Sequence, residues 1–304
     1  MNGYRHPQYA ASLAEFGRPR ELPQCRGWIL EREIAGSGRR DGMGCYPLFV
    51  CHDWSLLRAD VDALAGDLVS LVLVTDPFGD YTEQSLTASF DVVTRFKDHF
   101  IVNLVDNPET SVSRHHRYYA RKALEHIRVE MCRTPQEHLR EWVGFYQSLA
   151  MRHDLKGIKA FSEQAFAHQL SLPGMVMFRA LCNERPVGAQ LWLIHGKTAY
   201  NHLAAYSQEG YGMRASYGLY WESIRLLRDE LPQGIGWLDL GAGAGTSQNA
   251  DDGLTIFKRG WSGGVRPVYL CGRILDREAY EAIARDSGHA GSPYFPAYRC
   301  GEFA

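Results

Sequence analysis

The spacing of apolar positions changes character along the chain. Residues 26–34 (RGWILEREI) and 45–51 (CYPLFVC) read as short strands, with the turn-rich stretch AGSGRRDGMG between them. Residues 68–75 (LVSLVLVT) form a continuous apolar run ending at Asp76-Pro77, as expected of a strand buried on both faces, and residues 100–105 form another strand. The period then becomes helical over residues 113–128, where Ala120, Ala123, Leu124 and Ile127 make one apolar face. Arg114, Arg117, Arg121 and Arg128 lie opposite it as a basic stripe, read either as a solvated face with an Arg121–Glu125 pair or as a contact for nucleic-acid phosphates or a nucleotide-sugar acceptor.

Thr134-Pro135-Gln136-Glu137 predicts a capping box ahead of a helix buried through Leu139, Trp142, Val143, Tyr146 and Leu149. A further helix begins at Ser162, with Phe161 and Phe166 as a hydrophobic staple. Strands are expected at 175–182, 187–195 and 198–206, joined by hairpins. The loop 207–212 then leads into a long helix carrying Tyr217, Tyr220, Trp221, Ile224, Leu227 and Leu231, followed by strands at 235–240 and 266–274. This order gives an α/β fold in which the helix of residues 111–133 joins a β-rich first part to a complete second α/β part.

With 304 residues, 33 Lys+Arg against 35 Asp+Glu and 45% hydrophobic residues, the chain is a globular protein with a real core. A net charge of −2 excludes a strongly basic nucleic-acid coat. No run reaches the roughly 20 apolar residues of a membrane span, and MNGYRHPQYAA lacks an apolar leader, so a soluble, cytoplasmic protein is expected. The seven cysteines include no C-x-x-C pair and none stands in a nucleophile context. The histidines, His115-His116 included, show no metal spacing, and no metal is expected.

Two glycine-rich segments compete for the role of a phosphate seat. Trp237 to Gly245 (WLDLGAGAG) looks like the loop of a methyltransferase that uses S-adenosylmethionine, but that loop requires a helix directly after it. Residues 246–253 (TSQNADDG) have no apolar period, so a plain loop beside a site is expected instead. Gly210-Tyr211-Gly212 precedes the long helix, where converging N–H groups and the positive helix end favour an anion. Gln208, Gly210, Tyr211, Gly212 and Met213 are the candidates there, and a simple turn-and-cap role for the glycines remains open.

Three antiparallel strands, a glycine loop, a long helix and one more strand are the core order of GNAT acyltransferases. The blocks RHHRYYARKAL (114–124), AYNHLAAYSQEGYGMRASYGLYW (199–221), WLDLG (237–241) and DGLTIFKRGW (252–261) resemble Fem-type and related bacterial acyltransferases. Those proteins carry two GNAT-like halves, each a mixed, largely antiparallel sheet flanked by helices. The resemblance implies a degenerate, acceptor-side half in residues 1–112 and an acyltransferase half in residues 113–304. It places the donor pyrophosphate on the 207–213 loop, although Gln208 stands one position out of register with the family's Arg/Gln-x-x-Gly-x-Gly/Ala pattern. It also implies that Phe257-Lys258 lines the cleft and that the reaction is acyl transfer to an amine, without fixing the donor; the compact Gly210-Tyr211-Gly212 seat and the slightly acidic chain favour acyl-CoA, with a primary amine of a small molecule or of a sugar or peptide precursor as acceptor. The alternative donor is an aminoacyl-tRNA; a non-catalytic partner subunit and a methyltransferase are weaker readings.

Four residues are candidates for the chemistry. Lys258 would stabilise donor phosphate or a developing oxyanion, or else be an exposed loop lysine. Asp239, ending a strand, would accept a proton or merely cap a turn. His202, on one strand face with Tyr200, would be a general base or a satisfied core histidine. Tyr217, with Tyr220, would protonate a leaving thiolate or be core.

Overall fold

The computed structural model describes residues 3–229, 234–245 and 251–302. α1 (Pro7–Ser12) precedes three antiparallel strands, β1 (Arg18–Leu22), β2 (Gly27–Ile34) and β3 (Arg39–Gly44). α2 (Leu57–Asp62) crosses to β4 (Ser70–Val74), parallel to β3, and α3 (Glu83–Ser89) leads to the long β5 (Val92–Asn103). α4 (Pro108–Ser111), α5 (Arg114–Leu124), β6 (Arg128–Cys132), α6 (Leu139–His153) and α7 (Glu163–Leu170) follow. The first order then recurs. Antiparallel β7 (Met175–Cys182), β8 (Arg185–His195) and β9 (Thr198–Tyr206) come first. After them stand α8 (Gln208–Gly212), α9 (Ala215–Asp229), a parallel β10 (Trp237–Asp239), α10 (Gly253–Trp261) and the long β11 (Gly264–Ile274), before α11 (Arg277–Asp286).

The two repeats share one eleven-stranded sheet, in the order β1-β2-β3-β4-β11-β5-β10-β9-β8-β7-β6. Each repeat lends its last strand to the other: β5 pairs with β10, β11 pairs with β4, and the two lent strands pair with each other. Side chains of the second repeat therefore stand directly beside side chains of the first. Parallel pairing of β9 with β10 covers only Thr198–Tyr200 against Trp237–Asp239, while β9 runs on to Tyr206, so the two strands part beyond Asp239. The equivalent gap between β3 and β4 is closed by Phe49, which bridges to Thr75 and donates its N–H to the Val74 carbonyl at 2.7 Å.

Alternating strand positions feed different cores. Leu30, Met43, Met177, Leu191 and Tyr200 pack with α1, α6 and α7 on one face. Phe100, Val102, Phe178, Trp192 and Leu238 pack with α5, α9 and α10 on the other. Ile29, Leu71 and Leu73 pack with α2 and α3 in a third cluster. Among the described residues, no helix is long and apolar enough to cross a membrane.

Several local expectations are corrected. Residues 45–51 make no strand beyond the Phe49 bridge, whereas β3 runs through the stretch read as a turn. Its glycines serve close packing: a Cβ on Gly44 would lie 2.8 Å from the Leu73 Cβ. The basic stripe is broken, because α5 ends at Leu124 and Arg128 stands on β6, where it meets Glu130 and Glu184; Arg117 meets Glu109. Glu125 takes Lys122 as its partner. Thr134 makes no side-chain cap and opens only a short 3-10 turn, whereas Ser162 accepts from the Ala165 N–H at 3.1 Å with the Phe161 and Phe166 rings 5.6 Å apart. Leu231 lies outside the described residues.

Candidate active site

The site is built where β10 ends and β9 parts from it. The Asp239 carboxylate is buried and accepts the Gly241 N–H at 2.7 Å, which fixes the turn after the strand. His99, on the lent strand β5, places its Nδ1 3.0 and 2.9 Å from the two Asp239 oxygens. A carboxylate only accepts, so Nδ1 donates, and in the neutral imidazole the lone pair is on Nε2. Nε2 has no hydrogen-bond partner among the described residues.

A second carboxylate occupies the corresponding place in the first repeat. Asp76, just past β4, accepts the Tyr200 hydroxyl at 3.0 and 3.1 Å and the Phe78 N–H at 2.9 Å. Burial pushes its carboxyl up to about 6; the Phe78 and Tyr200 hydrogen bonds oppose that rise and the charge of Asp239 adds to it.

Lys258 lies on α10, half-buried, not on a loop. The helix is capped by Asp252, which accepts from the Leu254 and Thr255 N–H groups at 2.9 and 3.1 Å. A helix thus does follow the glycine-rich segment, contrary to the expectation, after residues 246–250 that lie outside the described residues. It leaves no open cradle: a Cβ on Gly243 would sit 2.0 Å from the Thr255 Oγ1, and Gly241 has φ +75°. Two lysines hold this segment by its carbonyls. Lys258 Nζ donates to Ala242 O at 2.6 Å, and Lys97 Nζ, from β5, donates to Gly243, Ala244 and Gly245 O at 2.9, 3.1 and 2.5 Å. Burial pulls Lys258 down to about 8; the negative charge of Asp239 opposes this and Lys97 reinforces it.

Two candidates are placed elsewhere. His202 is buried, with Nδ1 accepting from the Tyr4 hydroxyl and Nε2 donating to Gln169 Oε1, both at 3.1 Å. Neither nitrogen is left for an acceptor's proton, and burial drives its pKa down to about 3, so it is a core histidine. Tyr217 sits on the opposite face of the sheet, 5.1 Å from the rings of His116 and Phe257, and is not brought to Asp239.

The 207–213 segment is folded as α8. Ser207 accepts the Gly210 N–H at 3.0 Å, and a Cβ on Gly210 would meet the Val187 carbonyl oxygen at 2.0 Å, so Gly210 is a packing glycine. Gly212 is different, with nothing within 4 Å of such a Cβ. Gln208 and Tyr211 lie within α8, Met213 caps it, and Arg214 (φ +57°) stacks on Tyr119 at 3.9 Å ahead of α9. Among the described residues, no group of three His, Cys, Asp or Glu side chains is placed to hold a metal ion.

His99, Lys97 and Asp76 were missed as site residues. The period-two placement of Lys97, His99 and Ile101 on one strand face was a signal for the first two. For Asp76, the signal was a strand-ending aspartate that matches Asp239.

Residues 110–250 match the family model of an acetyltransferase (GNAT) domain. No curated protein matches the chain in sequence. In structure, the chain is similar to FemX, with 14% identity, 93% of this chain and 95% of that one covered, and a TM-score of 0.65. It is similar to the C-terminal domain of a proposed lysylphosphatidylglycerol synthetase from Agrobacterium fabrum, with 14% identity, coverage of 96% and 93%, and a TM-score of 0.65. The L-PGS structure from Bacillus licheniformis aligns with 15% identity, coverage of 88% and 92%, and a TM-score of 0.56. These likenesses establish the fold, in which the expected tandem halves are joined through one sheet.

Proposed function

For a chain that is an acyltransferase with a GNAT domain, we propose that it forms an amide by moving an acyl group from acyl-CoA to the primary amine of a small molecule. The observation that carries this reading is the His99–Asp239 pair at the mouth of the β9/β10 opening. Asp239 fixes the tautomer and the ring, leaving Nε2 to take a proton from the attacking amine. The amine nitrogen bonds to the thioester carbon, its proton passes to His99, and the carbonyl oxygen becomes an oxyanion. Collapse breaks the C–S bond, and the imidazolium returns the proton to the departing thiolate. Lys258, in its charged form, stabilises the anionic intermediate. Residues 1–112 supply His99, Lys97 and Asp76 on the acceptor side, and residues 113–304 supply Asp239, Lys258 and the donor seat. A cytoplasmic location fits a coenzyme A donor.

The donor assignment rests on two features. Open space at Gly212, beside Arg214 and the start of the fifteen-residue α9, suits a compact pyrophosphate. A charged tRNA needs a broad basic surface, and here Arg117 and Arg128 of the stripe are already paired with carboxylates. Gly212→Asp places a carboxylate in that open space and is expected to abolish binding of coenzyme A, read by thermal shift, without unfolding the chain. An unchanged shift with coenzyme A would remove the pyrophosphate from this loop.

A further inference from the structure

Arg266 on β11 is the direct cross-strand partner of His99 on β5. Directly opposed residues of an antiparallel pair project to the same face with Cβ atoms about 5 Å apart, so the guanidinium starts beside the base. Its plane is already set. The guanidinium carbon lies 4.4 Å from the Phe78 ring centre and 5.2 Å from that of Trp237, and one Nη donates to the Pro77 carbonyl at 3.3 Å. No carboxylate pairs with it among the described residues, although most arginines of this chain for which an interaction is given have one. Arg266 is half-buried, which gives it access to the site without full exposure. On the same face stand the buried carboxylates Asp76 and Asp239.

An arginine held against two neighbouring aromatic rings, with its remaining N–H groups unused, is preorganised for a bidentate oxyanion. Carboxylates a short reach away are preorganised for an ammonium. We infer that the acceptor is a zwitterionic amine, one whose amino group is carried a few bonds from a carboxylate or a phosphate, and that Arg266 is the residue that selects it. This rests on the amide-forming reading above: the ammonium docks towards Asp76 and Asp239, loses one proton to solvent, and the neutral amine attacks and passes its second proton to His99 while Arg266 holds the anion. A carboxylate and a phosphate share the needed chemistry, and both are tested.

Trp237 makes the contact readable without turnover, because its ring borders the guanidinium. Intrinsic fluorescence of the full chain is titrated with serine and with phosphoethanolamine, and in parallel with serinamide and ethanolamine, which lack the anion. Trp237→Phe identifies the reporting ring. The expected result is saturable quenching by at least one anionic member, at least tenfold weaker with its neutral counterpart. Arg266→Gln removes that difference and Arg266→Lys restores part of it, since an ammonium supplies charge without the fork. Melting temperatures of both variants establish that they are folded, and the lysine variant carries the comparison if the glutamine variant is not. Equal binding of charged and neutral members, unchanged binding in the folded variant, or no response to either anionic member overturns the inference. Selective binding without acyl transfer from any acyl-CoA would instead overturn the amide-forming reading and leave the anion site standing.

Discussion

His99 and Asp239 come from different repeats of the chain and meet because β5 is lent across the sheet to pair with β10. The imidazole Nδ1 lies between the two carboxylate oxygens, and Nε2 is left without a partner among the described residues. This places the only base of the proposed reaction on a residue outside the GNAT-matched segment of 110–250.

His99→Gln removes that base while keeping a polar side chain in the strand. Turnover is expected to fall by about 10²–10⁴-fold, with the melting temperature little changed. Asp239→Asn is expected to cost a comparable amount, and the double variant little more than either single one, because the pair acts as a unit. Additive losses in single-turnover kinetics would show that the two residues work separately.

In the proposed mechanism Lys258 would act in its charged form, and burial brings its pKa down to about 8. Activity is therefore expected to decline as pH rises through about 8, and Lys258→Ala to lower turnover at least tenfold, roughly 1.4 kcal/mol of barrier. In the proposed complex Asp76 would hold the acceptor's ammonium as an anion, and with its carboxyl raised to about 6, activity is also expected to decline as pH falls through about 6. Asp76→Asn should change the position of that acid limb, leaving the part that reports protonation of the base His99, and raise KM more than it lowers kcat. A profile flat from pH 5 to 9 would contradict both assignments.

His202 gives a stability prediction of definite sign. Its folded pKa of about 3 lies below the ordinary value of 6.5, so between those limits the unfolded chain binds more protons. Its contribution is fully present above pH 6.5 and is lost on acidification, by up to about 1.4 kcal/mol per pH unit. Denaturant unfolding between pH 7 and 5 should therefore be less pH-sensitive in His202→Gln than in the wild type. Identical slopes would mean that His202 titrates normally.

Gly243 has no room for a side chain beside Thr255 and Asp252. Gly243→Ala should displace the 241–245 turn, and with it the carbonyls held by Lys97 and Lys258. Calorimetry should detect no S-adenosylmethionine binding to the wild-type protein. Micromolar binding that is lost in the variant would show that the segment cradles a nucleoside after all.

Much of the second repeat was legible because its strands and helices are long and amphipathic, and α9 and the β7–β9 meander follow the apolar period. The first repeat was harder. β3 runs through Gly42 and Gly44, whose packing role is indistinguishable in sequence from a turn, and β1 (RPREL) presents a polar edge with Leu22 as its one buried residue. Asp239 and Lys258 were found because a strand end and a family block marked them. His99 was not, because its partner lies 140 residues away and is reached only through the lent strand. His202 carried the residue type of a base, but its surroundings of Tyr4, Gln169 and Phe161 come from segments distant in the chain.

The most direct measurement follows thiol release and amide mass together in purified protein supplied with acetyl-CoA and a panel of primary amines. Stoichiometric release of free coenzyme A with an acetylated amine, reduced at least a hundredfold by His99→Gln and abolished by Gly212→Asp, is the predicted result. No thiol release with any amine, alongside ribonuclease-sensitive transfer of labelled amino acid from charged tRNA, would contradict it.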